Sequence, residues 1–258
     1  MNRISSVAVM PKSSSASPKL TATKIEQSII TRSNHDDHPH TLFSPLHYEP
    51  NYAYPLVIWL HGQAGDERQL QKIMPLVSMR NYVAVGIRGP VESPLGRGYF
   101  WPSNDEATSI AKQRVFDAID IATARFNVNP ERIFLAGYQC GGTMALRVAL
   151  ACPQMFGGAL SIGGAFPSGH SPLARLAQIR KLPLFLAHGR DSTTYTVDDV
   201  CEELRLFHSA GLAVTVRQYP CGDELTTQML HDADVWMMER VTGMVSSESE
   251  SVRPGDVN

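Results

Sequence analysis

The sequence predicts an α/β protein, a mostly parallel β-sheet flanked by helices on both faces. Three observations predict it. From Pro55 onward, short apolar runs alternate with segments of helical periodicity. Runs such as "PLVIWLHG", "RIFLAG" and "LPLFLAHG" are almost wholly apolar, the pattern of strands buried on both sides. Strand and helix succeed one another over most of the chain, so consecutive strands are joined by crossovers, which makes them parallel.

In chain order, "PLVIWLHG" is a strand ending in a Gly loop. "DERQLQKIMPLVSMR" follows with apolar residues at helical spacing and one proline inside. "NYVAVGIRGP" is a strand closed by Gly and Pro. Asp105 to Phe126 reads as a helix, because Ile110, Val115, Ile119 and Ala122 can share a face. "ERIFLAG" is a strand, and "GGTMALRVALAC" a helix stopped before Pro153. "GGALSIGG" and "LPLFLAHG" are two more buried strands. A helix lies between Thr196 and Gly211, with Gly211 as its C-cap. "AVTVRQYP" is the last strand, and "ELTTQMLHDADVWMMERV" the closing helix, with Leu225, Met229, Val235 and Met238 as its inner side.

The ends are different. Residues 1–24 are rich in Ser, Lys and Pro, and residues 244–258 are polar without apolar period. Neither can bury enough surface to offset ordering entropy, so two disordered tails are expected around a folded domain over 25–243. "SNHDDHPH", Ser33 to His40, reads as a polar turn between two edge strands. Its His and Asp density invites a metal site, but no regular element sets ligand geometry, and a solvated loop is the preferred reading. No metal and no cofactor are expected.

Bulk properties exclude some partners. The 258 residues carry a formal net charge of −2, without the concentrated basic surface that nucleic acid demands. No apolar stretch reaches the roughly 18 residues of a membrane span. The N-terminal apolar run is too short for a secretory signal. Cys140, Cys152, Cys201 and Cys221 form no CxxC pair and no metal-finger spacing. They read as reduced thiols, and a cytoplasmic location is expected.

In such sheets ligands sit beyond the carboxyl ends of the strands. That directs attention to His61–Gly65, Gly98–Pro102, Tyr138–Gly142, Gly189–Thr194 and Pro220–Glu224. These segments, in order, carry a resemblance. "PLVIWLHGQAGDERQL", "RGYFWPS", "RIFLAGYQCGGTMALRVALACPQMFGGALSIGGAFP", "LPLFLAHGRDS" and "YPCGDELTTQMLHDADVWMME" resemble the α/β-hydrolase fold, and within it the phospholipase/carboxylesterase and acyl-thioesterase branch. The resemblance implies cofactor-free hydrolysis of carboxylic esters or thioesters by a Ser-Asp-His triad.

Two triad positions depart from that pattern. The family's Gly-x-Ser-x-Gly elbow corresponds to Gly137-Tyr138-Gln139-Cys140-Gly141, which puts Gln139 where the serine belongs. An amide nitrogen is delocalised and is not a nucleophile. The base position in the turn before the last helix corresponds to Asp223, and a carboxylate with a reference pKa near 3.9 is a poor general base beside a hydroxyl. The acid position falls on Asp191, or on Ser192 in a gapless alignment. The resemblance further implies an oxyanion hole from the backbone N–H groups of Gln63 and Cys140. His61, Gly62, Tyr99, Trp101 and Tyr138 are the candidate ligand-lining residues, although Trp101 reads equally well as a core aromatic under a loop.

The expectation is therefore a pseudo-hydrolase that binds a small ester, acyl or carboxylate ligand, or a protein partner. The alternative is an active enzyme using Cys140, which lies at a helix N-terminus where a thiolate is favoured. With Cys140 as the tip, however, Tyr138 would occupy a position that needs a small residue. None of His61, His188 and His231 is placed by the sequence as its base. A shared proton between Asp191 and Asp223 is weighed too; separate loop carboxylates, one paired with Arg190, are the preferred reading.

Overall fold

A computed structural model describes residues 30–33, 38–169 and 173–243. The expected tails and residues 34–37 of the polar turn lie outside the described residues. Strands β1 (Ile30–Ser33) and β2 (His40–Phe43) pair on either side of that turn, with Ser33 opposite His40. Then follow β3 (Tyr54–Leu60), α1 (Gln69–Val77), β4 (Val83–Ile87), a two-residue hairpin β5 (Val91–Glu92) and β6 (Tyr99–Phe100), and α2 (Asp105–Arg125). β7 (Val128–Tyr138), α3 (Cys140–Ala151), β8 (Gly158–Ile162) and a short α4 (Leu176–Ile179) come next. β9 (Leu184–Gly189), α5 (Val197–Ala210), β10 (Val214–Tyr219) and α6 (Thr227–Thr242) complete the domain.

An eight-stranded sheet runs in the order β1-β2-β4-β3-β7-β8-β9-β10. From β4 to β10 every pairing is parallel, while β1 and β2 extend one edge antiparallel. The strands alternate faces with period two, so each supplies two cores. In β3, Leu56, Ile58 and Leu60 pack with α2 (Ala111, Val115, Ala118, Ala122) and α3. Val57 and Trp59 point the other way, onto Leu70, Ile73 and Met74 of α1 and Trp236 of α6. Both faces being covered explains the all-apolar strands.

Local chemistry sets the helix ends. Thr196 caps α5 through a reciprocal pair with Asp199, and Gly211 closes it in the left-handed conformation at φ 66°. α1 starts at Gln69 rather than Asp66, because the Asp66 carboxylate accepts the Arg68 N–H and holds a turn there. α6 starts after Thr226, whose hydroxyl accepts the Met229 N–H. Its inner side is Met229, Leu230, Ala233, Trp236 and Met237, whereas Val235, expected inside, is 41% exposed. Leu225 and Met238, also expected inside, are partly buried against the same core, so Val235 is the one residue of the expected face that turns outward. The β5–β6 hairpin and α4 are too short for a periodic signal to have found them.

Candidate active site

The carboxyl ends of β3, β7, β9 and β10 converge on Gln139. β7 ends at Tyr138, α3 begins at Cys140, and the residue between has φ 49° and ψ −122°. Few L-residues adopt that conformation, which costs on the order of 1–3 kcal/mol. The surroundings hold it: the Gln139 N–H donates to the Ile162 carbonyl at 2.8 Å, and its carbonyl accepts from Thr143 at 3.1 Å. The turn is also sterically enforced. A Cβ on Gly137 would overlap the backbone of Gly141, and one on Gly141 would overlap the carbonyls of Leu60 and His61. Gln139, not Cys140, therefore stands at the tip.

Its side chain spans the cleft. The Gln63 N–H donates to Oε1 at 3.3 Å, and Nε2 donates to the Asp223 carbonyl at 3.5 Å. Tyr138 also donates its hydroxyl to that carbonyl. Burial, aided by the nearby Asp223 charge, pushes the Tyr138 phenol up to about 12, so it remains a donor at neutral pH. One of the two N–H groups assigned to the oxyanion hole thus already holds a carbonyl oxygen of the chain itself.

The carboxylate of Asp223 points away from the tip. It accepts from the hydroxyls of Ser192, Thr193 and Thr194, and from the N–H groups of Thr193 and Thr194 at 3.2 and 3.4 Å. These donors, Ser192 first, hold its carboxyl well below the usual carboxylate range. Ser192, rather than Asp191, stands against the base position. Asp191 is exposed and paired with Arg190 at 3.0 Å, and that partner lowers its carboxyl. The two carboxylates therefore answer to different partners, Asp191 to Arg190 and Asp223 to the Ser192–Thr194 donors. The local charge pattern is a carboxylate enclosed by hydroxyls, with the negative charge on Asp223 and the donors on Ser192, Thr193 and Thr194. Ser192 was visible in the sequence as a register alternative; the roles of Thr193 and Thr194 depend on the fold of the loop and carried no signal.

Cys140 is half-buried. Burial raises its thiol above the ordinary cysteine range, outweighing the pull of backbone N–H groups from Trp101, Gly141 and Cys140 itself. The three candidate histidines are occupied or remote. His61 is fully buried; its Nδ1 donates to the Gly62 carbonyl at 2.9 Å, and its Nε2 accepts the Gly89 N–H at 2.8 Å. Burial lowers its pKa, which suits a neutral brace. His188 is buried at the end of β9, with its ring edge-on to Tyr195. His231 is exposed on α6.

The expected lining residues divide. Trp101 is buried and donates its indole N–H to the His61 carbonyl at 3.1 Å, so it and His61 support the loop from beneath. Gly62 and Tyr138 stay beside the tip, since Gly62 packs against the Tyr138 ring. Tyr99 is half-buried with the Arg88 guanidinium 4.7 Å above its ring, and Arg88 is ion-paired to the buried Glu67. Ala64, at φ 56°, bends the same loop. A cleft of about 680 Å³ between Phe166, Leu173 and Leu206 has none of the elbow residues in its wall. Among the described residues, no group of three or more His, Cys, Asp or Glu could hold a metal ion.

Comparison with known proteins places this geometry in context. The sequence profile of the Phospholipase/Carboxylesterase family matches residues 50–242. The probable carboxylesterase SOBER1-like of Arabidopsis thaliana is 26% identical over 224 residues, 79% of this chain and 86% of that protein. Carboxylesterase SOBER1 of the same plant is 25% identical over 148 residues, 57% of this chain and 64% of that one. Among solved structures, the carboxylesterase from Mesorhizobium loti superposes with a TM-score of 0.67 at 17% identity, covering 81% of this chain and 99% of that chain.

Proposed function

The chain belongs to the phospholipase/carboxylesterase family of α/β hydrolases, and from that premise we propose that it is a pseudo-hydrolase, a member that has given up ester hydrolysis and binds an acyl, ester or carboxylate ligand or a protein partner. What carries the reading is Gln139 at the strained tip, bonded through both ends of its carboxamide. A carboxamide there cannot form an acyl-enzyme. Asp223, ringed by donors and fully ionised at neutral pH, cannot take a proton and return it as an imidazole does. Loss of the nucleophile alone costs a Ser-His-Asp enzyme on the order of 10⁶ in turnover. The frame that remains accounts for a residual acceleration of only about 10³–10⁴ over water.

Short p-nitrophenyl esters and acyl-thioesters test this. The expected result is turnover at background level, unchanged by substitution of Gln139 or Asp223. Turnover within about tenfold of the roughly 10 s⁻¹ that is the median for enzymes in general, abolished by either substitution, overturns it. The competing reading, an active enzyme working through Cys140, is opposed by the raised thiol and by the engagement of His61 and His188 elsewhere. Iodoacetamide labelling near pH 6 separates the two. Selective reaction at Cys140, with esterase activity lost in Cys140→Ala, would establish the thiol enzyme.

A further inference from the structure

The two ends of the Gln139 carboxamide meet groups of opposite character. The Gln63 N–H can only donate, and the Asp223 carbonyl can only accept. The amide orientation is therefore dictated by its neighbours: oxygen toward Gln63, nitrogen toward Asp223. Seen from the cleft, the elbow is flanked by one donor and one acceptor at the spacing of a single primary carboxamide.

Other carbonyl chemistries match this pair less well. An ester offers an oxygen to Gln63 but no N–H to Asp223. A carboxylate would satisfy Gln63 and set a second negative oxygen against the Asp223 carbonyl, on the residue that already bears the site's charge. An ammonium group has no acceptor for Gln63. The two resident bonds, at 3.3 and 3.5 Å, are long for N–H···O contacts and correspondingly weak. Gln139 is only half-buried and can rotate out without breaking the backbone bonds that hold the elbow.

We propose that this cleft is a primary-carboxamide site, filled in the resting chain by Gln139 itself and opened to an external carboxamide when that side chain swings away. The proposal deepens the pseudo-hydrolase reading and rests on Gln139 being an unreactive tip. The side chain then acts as a tethered competitor: an outside amide replaces both bonds, and an outside ester or acid replaces only one.

The test is a titration of the full chain and of Gln139→Gly, followed through the backbone amide resonances of Gln63 and Asp223, with propionamide, propionate and methyl propionate as probes. In Gln139→Gly, propionamide is expected to shift both resonances saturably. Propionate and methyl propionate should need about tenfold higher concentration, the equivalent of one lost hydrogen bond. The native chain should keep the same order of preference while needing more of each probe, because its own side chain competes. It therefore decides the matter even if Gln139→Gly fails to fold. Equal responses to the three probes, a preference for propionate, or no saturable shift at Gln63 overturns the proposal. Ester turnover is measured separately, so failure of the pseudo-hydrolase reading shows as hydrolysis, whereas failure of the amide site shows as a lost order of preference.

Discussion

Asp223 organises the loop that faces it. Its carboxylate accepts from three hydroxyls and two N–H groups. The consequence for stability has a definite sign. Its carboxyl is held lower in the folded chain than in the unfolded one, so the unfolded state binds more protons at acid pH and stability rises with pH. The contribution is complete above about pH 5, begins to shrink near the unfolded value of about 4, and continues to fall as pH drops toward the lower folded value. Thermal melts of the parent and Asp223→Asn between pH 3 and 7 should therefore converge toward the acid end and separate near neutrality, with the parent more stable. Parallel curves across that range would mean that the ring of donors contributes nothing. Gln139 was legible in the sequence because the flanking glycines fix the register. What its side chain touches was not, since Gln63 and Asp223 lie 76 and 84 residues away in the chain.

At the scale of elements, the strand–turn–helix of β7, Gln139 and α3 is the unit that holds the site. α3 is apolar nearly all round and buried from Met144 to Leu150, which clamps the elbow against β3 and β8. Its first turn approaches β3 so closely that Gly141 touches the carbonyls of Leu60 and His61. Gly141→Ala has no flexible side chain to push aside and must move backbone. It should lower the unfolding free energy by about 1–3 kcal/mol or more, read as a reduced denaturant midpoint at unchanged m-value. An unchanged midpoint would show that the elbow yields more easily than this packing implies. Long periodic elements such as α2 and α5 were readable to within a residue or two. The start of α6 was not, because Leu225 and Thr226 continue the apolar period while the Thr226 cap fixes the true beginning at Thr227.

Taken whole, the molecule has the scaffold of the phospholipase/carboxylesterase family. The parallel sheet, the braced loop from His61 to Gly65 and the elbow all persist, and no helix among the described residues is long and apolar enough to cross a membrane. On the proposed pseudo-hydrolase reading, installing the triad groups should create ester hydrolysis. The triple change Gln139→Ser, Ser192→Asp and Asp223→His would put nucleophile, acid and base on three positions that already adjoin, since the Gln139 side chain reaches the Asp223 backbone carbonyl and the Ser192 hydroxyl bonds the Asp223 carboxylate; the new imidazole must turn toward the tip. Its hydrolysis of p-nitrophenyl acetate should exceed the parent's by about 10²-fold or more, the scale of a working acid–base group. Gln139→Ser alone should stay at the parent's rate. Activity from the serine alone would point to a base not recognised among the described residues.

The sequence by itself determined the parallel sheet, the two-sided burial and the identity of the residue at the elbow. Each follows from local periodicity or from glycine sterics, which act over a few residues. Only the tertiary structure decided that Ser192, not Asp191, meets Asp223, that the Trp101 indole bonds the His61 carbonyl beneath the loop, and that the Gln139 oxygen accepts the Gln63 N–H. Those outcomes depend on directions in which side chains leave separate loops, and loops of equal sequence pattern can aim the same side chain at solvent, at a neighbour or into the cleft.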